Sequence, residues 1–535
     1  MKGGLRQSMS WLHTWSGLLL GWLLFAIFLT GTVSYFRHEI TIWMQPETHQ
    51  SFASPESAAV AMRKLAVEAP EAESWSISLP GDRSNTLGIS WQNPGEAPGR
   101  GKGRPRHGAV LDASTGDVLH PRETAGGNFL YRFHFELYAL PRFWARWIVG
   151  IATFFMFVAI ISGVITHKRI FRDFFTFRPG KGQRSWLDMH NLTAVMALPF
   201  HIMITYSGLL LFTSTLMPFA FEGRRGPPPQ RGECPPVERP AARGDLAALT
   251  DVTPLIRQAR DAWGGMPVGR ITVLKPASPE PVIELSPARN TKLAASSGGG
   301  GGAQRMRFDG LTGALLGVSE SADVSVVSGI NNVFGTLHRA RFADMLLRWV
   351  FFVAGVAGTV MVGTGLSLWV AKRSVKNIKA GSSDPGFRLV ERLNVGAVPG
   401  LCLAVAGYFW INRLLPAELA GRADWEIRSF FILWAAASVF AFVRPVQRGW
   451  TELSFLSGVL FAGIPVLSLM TTRSGLFWSL GHGQWSVAGF ELVSLLTGAC
   501  LIYGAWRLAV KAARPANQSR RRSAPTSQAK AEGVQ

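Results

Sequence analysis

Cysteine is scarce in this chain and charge is thin. Three cysteines, Cys234, Cys402 and Cys500, in 535 residues cannot build a disulfide framework, and two of them fall in apolar runs where they read as packing residues. No CxxC or CxxCH spacing occurs, which excludes a cysteine-rich zinc site and covalent haem attachment. HExxH, GxSxG and paired intramembrane carboxylates are also missing, which removes the usual hydrolase signatures. No GxGxxG follows a strand on the side expected to face the cytoplasm, so the chain has no dinucleotide fingerprint of its own. Charged residues make up only 17% of the chain, beside 47% hydrophobic and 11% aromatic residues. That balance fits a membrane protein rather than a large soluble enzyme.

The apolar residues gather into eight runs long enough, or nearly so, for the about 20 residues that cross a bilayer core. They are Trp15–Phe36, Ala145–Thr166, Leu192–Met217, Leu346–Val370, Leu393–Ile411, Phe430–Val443, Leu453–Leu469 and Val487–Trp506. The sixth is the shortest. The first has no small-residue cleavage site and reads as a retained span rather than a signal peptide. The net charge of +21 could suggest nucleic acid, but the cations cluster in alternate connections. Lys168, Arg169, Arg172, Arg178, Lys181 and Arg184 fill one; Lys372, Arg373, Lys376, Lys379, Arg388 and Arg392 fill another; Arg444 and Arg448 lie in a third. The tail adds Lys511, Arg514, Arg520, Arg521 and Arg522. By the positive-inside rule these face the cytoplasm beside anionic lipid, with both termini inside.

Two connections of more than 100 residues are then extracytoplasmic. The first reads as a helix over 51–64, strands at Ser74–Leu79 and Thr86–Trp91, and a turn at Asp112–Asp117 before Val118-Leu119. The second repeats the order with a helix at Val252–Trp263, strands at Gly269–Leu274 and Pro281–Leu285, and a turn at Asp309–Gly313. Both turns read Asp-x-x-Thr-Gly, and each stretch predicts a small α+β module. The Pro/Gly/Arg-rich segment Arg224–Pro240 and the run Ser296–Gly302 read as inserts, because the glycines lack the Lys-Ser/Thr of a phosphate loop.

The helices repeat as well. Aligning His13 with His190 puts Gly31 opposite Gly208, each 18 residues later, and aligning Gly163 with Gly365 puts Trp147 opposite Trp349. His134 and His338 precede the second and fourth spans at nearly equal spacing. The unit helix–module–helix therefore occurs twice in parallel order, which implies a pseudo-two-fold axis near the membrane normal. Expected divisions are a first span at 1–44, a first module at 45–128, spans two and three at 129–218, a second module at 219–330, a fourth span at 331–375, a linker at 376–392, four more spans at 393–510 and a basic tail at 511–535.

Six of the eleven histidines lie in or beside the first four spans: His13, His134, His167, His190, His201 and His338. The last four spans hold none. Ionisable residues in a membrane are expensive and mark function by default, although an interfacial histidine can also bind water, headgroups or helix carbonyls. Two imidazoles on opposite helices make haem iron six-coordinate. Symmetry pairs His13 with His190 and His134 with His338, leaving His167 and His201 without counterparts. His190 and His201, 11 residues apart, would sit on nearly one face of a straight helix and could serve two stacked cofactors, so the pairing stays open. Zinc wants three or four ligands, and Glu136 and Asp188 are the close carboxylates. His38, His49, His107, His120 and His482 have no repeated partner.

Leu12-His13-Thr14-Trp15-Ser16-Gly17, Phe133-His134-Phe135-Glu136-Leu137, and the stretch from Gly163 through His167-Lys168-Arg169-Ile170-Phe171, Phe175-Thr176-Phe177-Arg178-Pro179 and Trp186-Leu187-Asp188-Met189-His190-Asn191 to Pro199-Phe200-His201 resemble the PepSY-associated transmembrane family. The Asp-x-x-Thr-Gly turns resemble those of PepSY modules. The resemblance covers about residues 1–375 and implies a mainly α-helical polytopic protein of the bacterial inner membrane with two PepSY-like modules. It further implies two b-type haems held by the six histidines above, and similarity to ferric-siderophore reductases that pass electrons from a cytoplasmic or quinol donor to periplasmic chelated iron. A haem conduit to another acceptor, or a non-redox regulator of an extracytoplasmic peptidase, are the alternatives. Arg100, Arg104, Arg106, Arg224 and Arg225 in the module loops are candidates for attracting anionic chelates.

Overall fold

Backbone amides in a bilayer find no water, so an apolar run must close its hydrogen bonds on itself, and all eight runs do so as helices. The computed structural model describes residues 4–96, 107–167, 176–217, 249–289, 305–319, 326–381 and 384–513. Arg100, Arg104, Arg106, Arg224, Arg225, Cys234, Lys168, Arg169, Arg172, the two inserts and the tail beyond Ala513 lie outside the described residues.

In chain order the helices are α1 (Leu5–Val33), α2 (Arg37–Met44), α3 (Ser57–Glu68), α4 (Gly126–Glu136), α5 (Arg142–Thr166), α6 (Gln183–Met196), α7 (Leu198–Leu211), α8 (Val252–Ala262), α9 (Val326–His338), α10 (Met345–Ala380), α11 (Pro385–Ala397), α12 (Pro399–Leu414), α13 (Arg422–Val443), α14 (Val446–Ala462), α15 (Ile464–Thr471) and α16 (Trp485–Ala513). Among the described residues six segments are long and apolar enough to cross a membrane, and eight if α6–α7 and α14–α15 each count as one bent span. This is a multi-pass membrane protein.

Both bends have a local cause. α6 and α7 meet at 70° and α14 and α15 at 42°, with Pro199 and Pro465 each in the first turn of the second helix. A proline there has no N–H for the preceding turn, so the ladder breaks. The 70° bend corrects the expectation that His190 and His201 share one straight helix face. The sixth span is longer than its apolar run, reaching back to Arg422. Arg422 and Glu426 lie one turn apart, ion-paired and fully buried, so their charges cancel inside the helix bundle.

The modules supply eight strands: β1 (Ser74–Ser78), β2 (Leu87–Gln92), β3 (His107–Leu111), β4 (Val118–Leu119), β5 (Val268–Leu274), β6 (Val282–Pro287), β7 (Arg305–Asp309) and β8 (Leu315–Ser319). They form one antiparallel sheet in the order β4-β3-β2-β1-β5-β6-β7-β8. The two modules join edge to edge through β1 and β5, with Ser76 opposite Thr272, Ser74 opposite Leu274 and Ser78 opposite Arg270. An antiparallel pair related by a two-fold axis has that axis normal to the sheet, so the sheet carries the same symmetry as the helices. Pairing also covers two edge strands that would otherwise expose unpaired amides. Alternation sends Trp75, Ile77, Leu87, Ile89, Ile271, Val273, Ile283 and Leu285 into one buried core with Leu65 of α3 and Leu255 of α8. Each such side chain contributes up to about 1.5–3 kcal/mol of burial. In both turns the first aspartate caps the chain: Asp112 Oδ1 accepts from the Ser114 and Thr115 amides, and Asp309 Oδ1 from Leu311 and Thr312.

Helices α1, α5, α6–α7 and α10 form a four-helix unit in which α1 packs on α5 and α10, α6 on α10, and α7 on α5. The last four spans dock against one side of it. Trp43, fully buried, donates to Ser468 Oγ and Glu491 Oε1 at 3.1 Å each, and Arg413 lies 4.2 Å from its ring centre. Glu426 accepts from Thr124 Oγ1 at 2.6 Å and from Asn412 Nδ2 at 2.7 Å. Trp22 of α1 donates to Asn394 Oδ1 at 2.8 Å. The C-terminal half is thus fastened by buried polar contacts that cost little only when all are made.

Candidate functional site

Four histidines come from corresponding places in the two repeats: His13 near the start of α1 and His190 in α6, His134 in α4 and His338 at the end of α9. Each packs on a glycine of a neighbouring helix. A Cβ on Gly163 would meet His13 Cε1 at 3.1 Å, on Gly365 His190 Cε1 at 3.2 Å, on Gly31 His134 Cε1 at 2.6 Å, and on Gly208 His338 Cε1 at 3.3 Å. The missing side chain lets each imidazole lie against helix backbone. The glycines whose repeat spacing stands out in the sequence are therefore the floors under the four rings.

The same contacts fix the protonation of each ring. Nδ1 of His13 bonds Ala159 O at 2.8 Å, that of His190 bonds Met361 O at 2.8 Å, and that of His134 bonds Ile27 O at 2.7 Å. Each acceptor lies four residues before the glycine floor. A carbonyl only accepts, so Nδ1 carries the proton and Nε2 the lone pair. His338 has the corresponding carbonyl, Ile204 O, four residues before Gly208, beside its ring, and Ser207 as a further partner. Ser207 Oγ donates to Met203 O at 2.6 Å and accepts from His338 Nδ1 at 2.9 Å. A donating Nδ1–H that orients the ring and raises the basicity of Nε2 is the usual support of a metal-bound histidine.

The rings face each other in two pairs. His13 and His190 have centroids 6.2 Å apart at 72°, and His134 and His338 have centroids 6.2 Å apart at 37°. An imidazole nitrogen sits about 2 Å from a metal and about 1.1 Å from its own ring centre, so two imidazoles that would hold one metal ion between them have centroids about 6.2 Å apart. Both pairs meet that spacing. All four imidazoles are partly buried. The pairs lie at opposite ends of the unit, since His13 and Gly31 are separated by 18 residues of α1, about 27 Å of rise. Paired, lone-pair-bearing imidazoles at this separation are residues that could hold a metal-centred group such as haem between them. Among the described residues no group of three or more histidines, cysteines, aspartates or glutamates is arranged to hold a metal ion. Glu136 is held by Arg132, Arg142 and Arg146, and Asp188 by Arg178, so neither carboxylate is poised as a zinc ligand.

The two unmatched histidines stand apart. His167 Nε2 meets Asn191 Nδ2 at 3.0 Å, beside the His13 pair but not opposite a ring. His201 is fully buried in α7, its ring 6.2 Å from Phe28 at 85°; it too lies against a glycine, since a Cβ on Gly358 would meet its Nε2 at 3.1 Å, with the Ala194 and Ala354 carbonyls beside the ring. His49, unassigned in the sequence, is buried between Ser474 Oγ at 2.5 Å and Ile42 O at 2.9 Å, where it ties the end of α2 to the C-terminal half.

A duplicated helix–module–helix unit with a histidine pair at each end defines a polytopic membrane protein organised around its first four spans. The chain belongs to the PepSY-associated TM region family, which it matches over residues 10–372. It is also 28% identical over 411 residues to an uncharacterized protein of Pseudomonas aeruginosa, an alignment that covers 73% of this chain and 97% of that protein.

Proposed function

We propose that the chain is an inner-membrane oxidoreductase that carries electrons from a cytoplasmic or quinol donor to a periplasmic ferric siderophore, using two b-type haems. The observation that carries this reading is the pair of 6.2 Å histidine separations with every Nδ1 committed to an acceptor. His13 with His190 would hold the group nearer the termini, and His134 with His338 the group nearer the sheet. Held by these residues, haem would supply one-electron exchange near both membrane faces.

The residues of the chain do the rest. The carbonyls of Ala159, Met361 and Ile27 and the Ser207 hydroxyl hold neutral rings in place, so no ligand must turn or lose a proton when the metal changes charge. Gly31, Gly163, Gly208 and Gly365 keep the rings against backbone and limit their motion. Both termini and the basic connections lie on the cytoplasmic side in this reading, and the joined sheet of PepSY-like modules covers the periplasmic end, where the acceptor arrives. Release of the metal follows from the weaker hold of an oxygen-donor chelator on ferrous iron than on ferric iron.

The experiment is reduction of a ferric siderophore by chemically reduced purified protein, followed through a ferrous-specific chromophore and compared with a copper and a disulfide acceptor. Faster turnover of the ferric siderophore supports the reading. Preference for either other acceptor replaces the substrate while leaving the haems in place.

A further inference from the structure

The end of the four-helix unit under the sheet carries an excess of arginine that neither the fold nor the histidine pairs require. Residues 34–44, 126–146 and 334–351 contain seven arginines and no lysine, against Glu39, Glu136 and Asp344. Arg83, from the turn after β1, joins them. Glu39 takes Arg83 through two hydrogen bonds of 2.8 and 2.9 Å, with Arg348 at 3.8 Å. Glu136 is shared by Arg132, Arg142 and Arg146. Arg37 meets no carboxylate among the described residues. Its guanidinium stands 4.5 Å over the Tyr131 ring and its Nε donates to His38 Nε2 at 3.3 Å. Arg37 also feels the charges of Arg83 and Arg341, and Arg348 that of Arg83.

These two groups flank the outer pair. Tyr131 and Glu136 lie three residues before and two after His134 on α4, and the Tyr35 hydroxyl reaches His338 O at 3.5 Å. Among the described residues, six arginines around Glu39 and Glu136, with Asp344 beside Arg348, leave an excess of positive charge in this rim, which concentrates anions there. On the periplasmic side such charge also opposes the positive-inside bias, so it calls for a compensating ligand. The uniform choice of arginine suits ligands that present paired oxygens, which guanidinium grips with two parallel donors and an ammonium does not.

We propose that this rim is the docking site for the electron acceptor, and that it selects chelates of net negative charge with exposed carboxylate or catecholate oxygens over neutral or cationic ones. The proposal rests on the electron-delivery reading above and on its orientation. Arg37 and Arg142 are the recognition residues to test. Arg37 has no carboxylate to strand, and Arg142, whose side chain is 59% exposed, leaves Glu136 two other partners.

The test uses the haem-loaded full chain in zwitterionic nanodiscs and redox-inert gallium(III) citrate as probe, with binding read by titration calorimetry. An amine-bearing cationic gallium(III) trihydroxamate is the counter-probe. Arg37→Gln and Arg142→Gln should each weaken citrate-complex binding about threefold to fivefold, and the pair about tenfold or more, with Arg37→Lys recovering part of the loss. Arg448→Gln, on the opposite membrane face, should change nothing. Equal affinity for the cationic complex, or affinity indifferent to both substitutions, overturns the proposal. So does loss of citrate-complex binding in phosphatidylglycerol nanodiscs with no loss in zwitterionic ones, which would assign the rim to lipid headgroups. Absence of haem from the preparation refutes the electron-delivery reading instead, and the two failures are read on separate instruments.

Discussion

Replacing Gly31 by alanine tests the outer histidine pair with a single methyl group. The new Cβ would stand 2.6 Å from Cε1 and 2.7 Å from Nδ1 of His134, about 1 Å inside the contact distance of about 3.5–4.0 Å. The α1 backbone is held by its neighbours, so the imidazole is what moves, and it must retreat by about 1 Å. A metal–imidazole bond is about 2 Å long, so that retreat takes Nε2 off an iron shared with His338. It also stretches the Nδ1 bond to Ile27 O, worth about 1 kcal/mol. Helix propensity acts the other way, since alanine favours a helix over glycine by about 1 kcal/mol. A loss therefore cannot be laid to a weakened α1. The matching change Gly208→Ala places its Cβ 3.3 Å from His338 Cε1, a few tenths of an ångström of adjustment. Haem content per chain, measured as the pyridine haemochrome, should fall from about two to about one in Gly31→Ala and stay near two in Gly208→Ala. Full haem content in Gly31→Ala, with an unaltered low-spin spectrum, would refute the packing argument.

The two pairs should also differ in electron paramagnetic resonance. In the proposed reading, ring planes 72° apart at His13–His190 would give a highly anisotropic low-spin signal and planes 37° apart at His134–His338 a more rhombic one; His190→Ala should remove the first and spare the second, and Gly31→Ala the reverse. His167→Ala and His201→Leu should each retain both signals, because neither ring faces another histidine; loss of either signal would return these residues to the ligand set. Glu426→Ala strands the buried Arg422 and unties Thr124 and Asn412, so thermal unfolding should show a loss of about 3–5 kcal/mol, while an unchanged melting curve would show that the halves are not coupled there. Burial holds the His49 imidazole down to about 4, so the unfolded chain, titrating near 6.5, binds the extra proton first. Stability from this residue is complete above about 6.5 and falls with pH toward 4, by about 3 kcal/mol in full. His49→Gln should flatten that acid limb, and an identical limb in the variant would assign it elsewhere.

Much of this arrangement is legible in the chain because a duplication writes the same signal twice. The 18-residue interval from His13 to Gly31 and from His190 to Gly208 points to a symmetric pairing of His13 with His190, and the near-equal spacing of His134 and His338 before their spans to the other, while leaving pairings with His167 or His201 open; the Asp-x-x-Thr-Gly turns stand where the repeat puts them. Three features escape it. The bend at Ala197 hides behind a single proline in an otherwise continuous apolar run, which is why His190 and His201 look like neighbours on one face. Strands β3 and β7 carry little periodicity, being five residues long beside glycine-rich inserts. The edge-to-edge joining of the modules depends on which strand edges lie free at the two-fold axis, and a serine-rich strand such as β1 announces no partner. The role of the glycines is visible only in space, although their constant offset from the histidines is the clue that points to it. The arginine rim is likewise scattered over four segments and assembles only in the fold.

A reduced-minus-oxidised absorption spectrum of the purified full-length protein, with haem quantified against protein, bears most directly on the central claim. The account predicts b-type α-band absorbance at about two haems per chain, divided into two populations by the magnetic signals above. A colourless protein, or one whose haem content is unchanged when His13, His190, His134 and His338 are each replaced in turn, would contradict it.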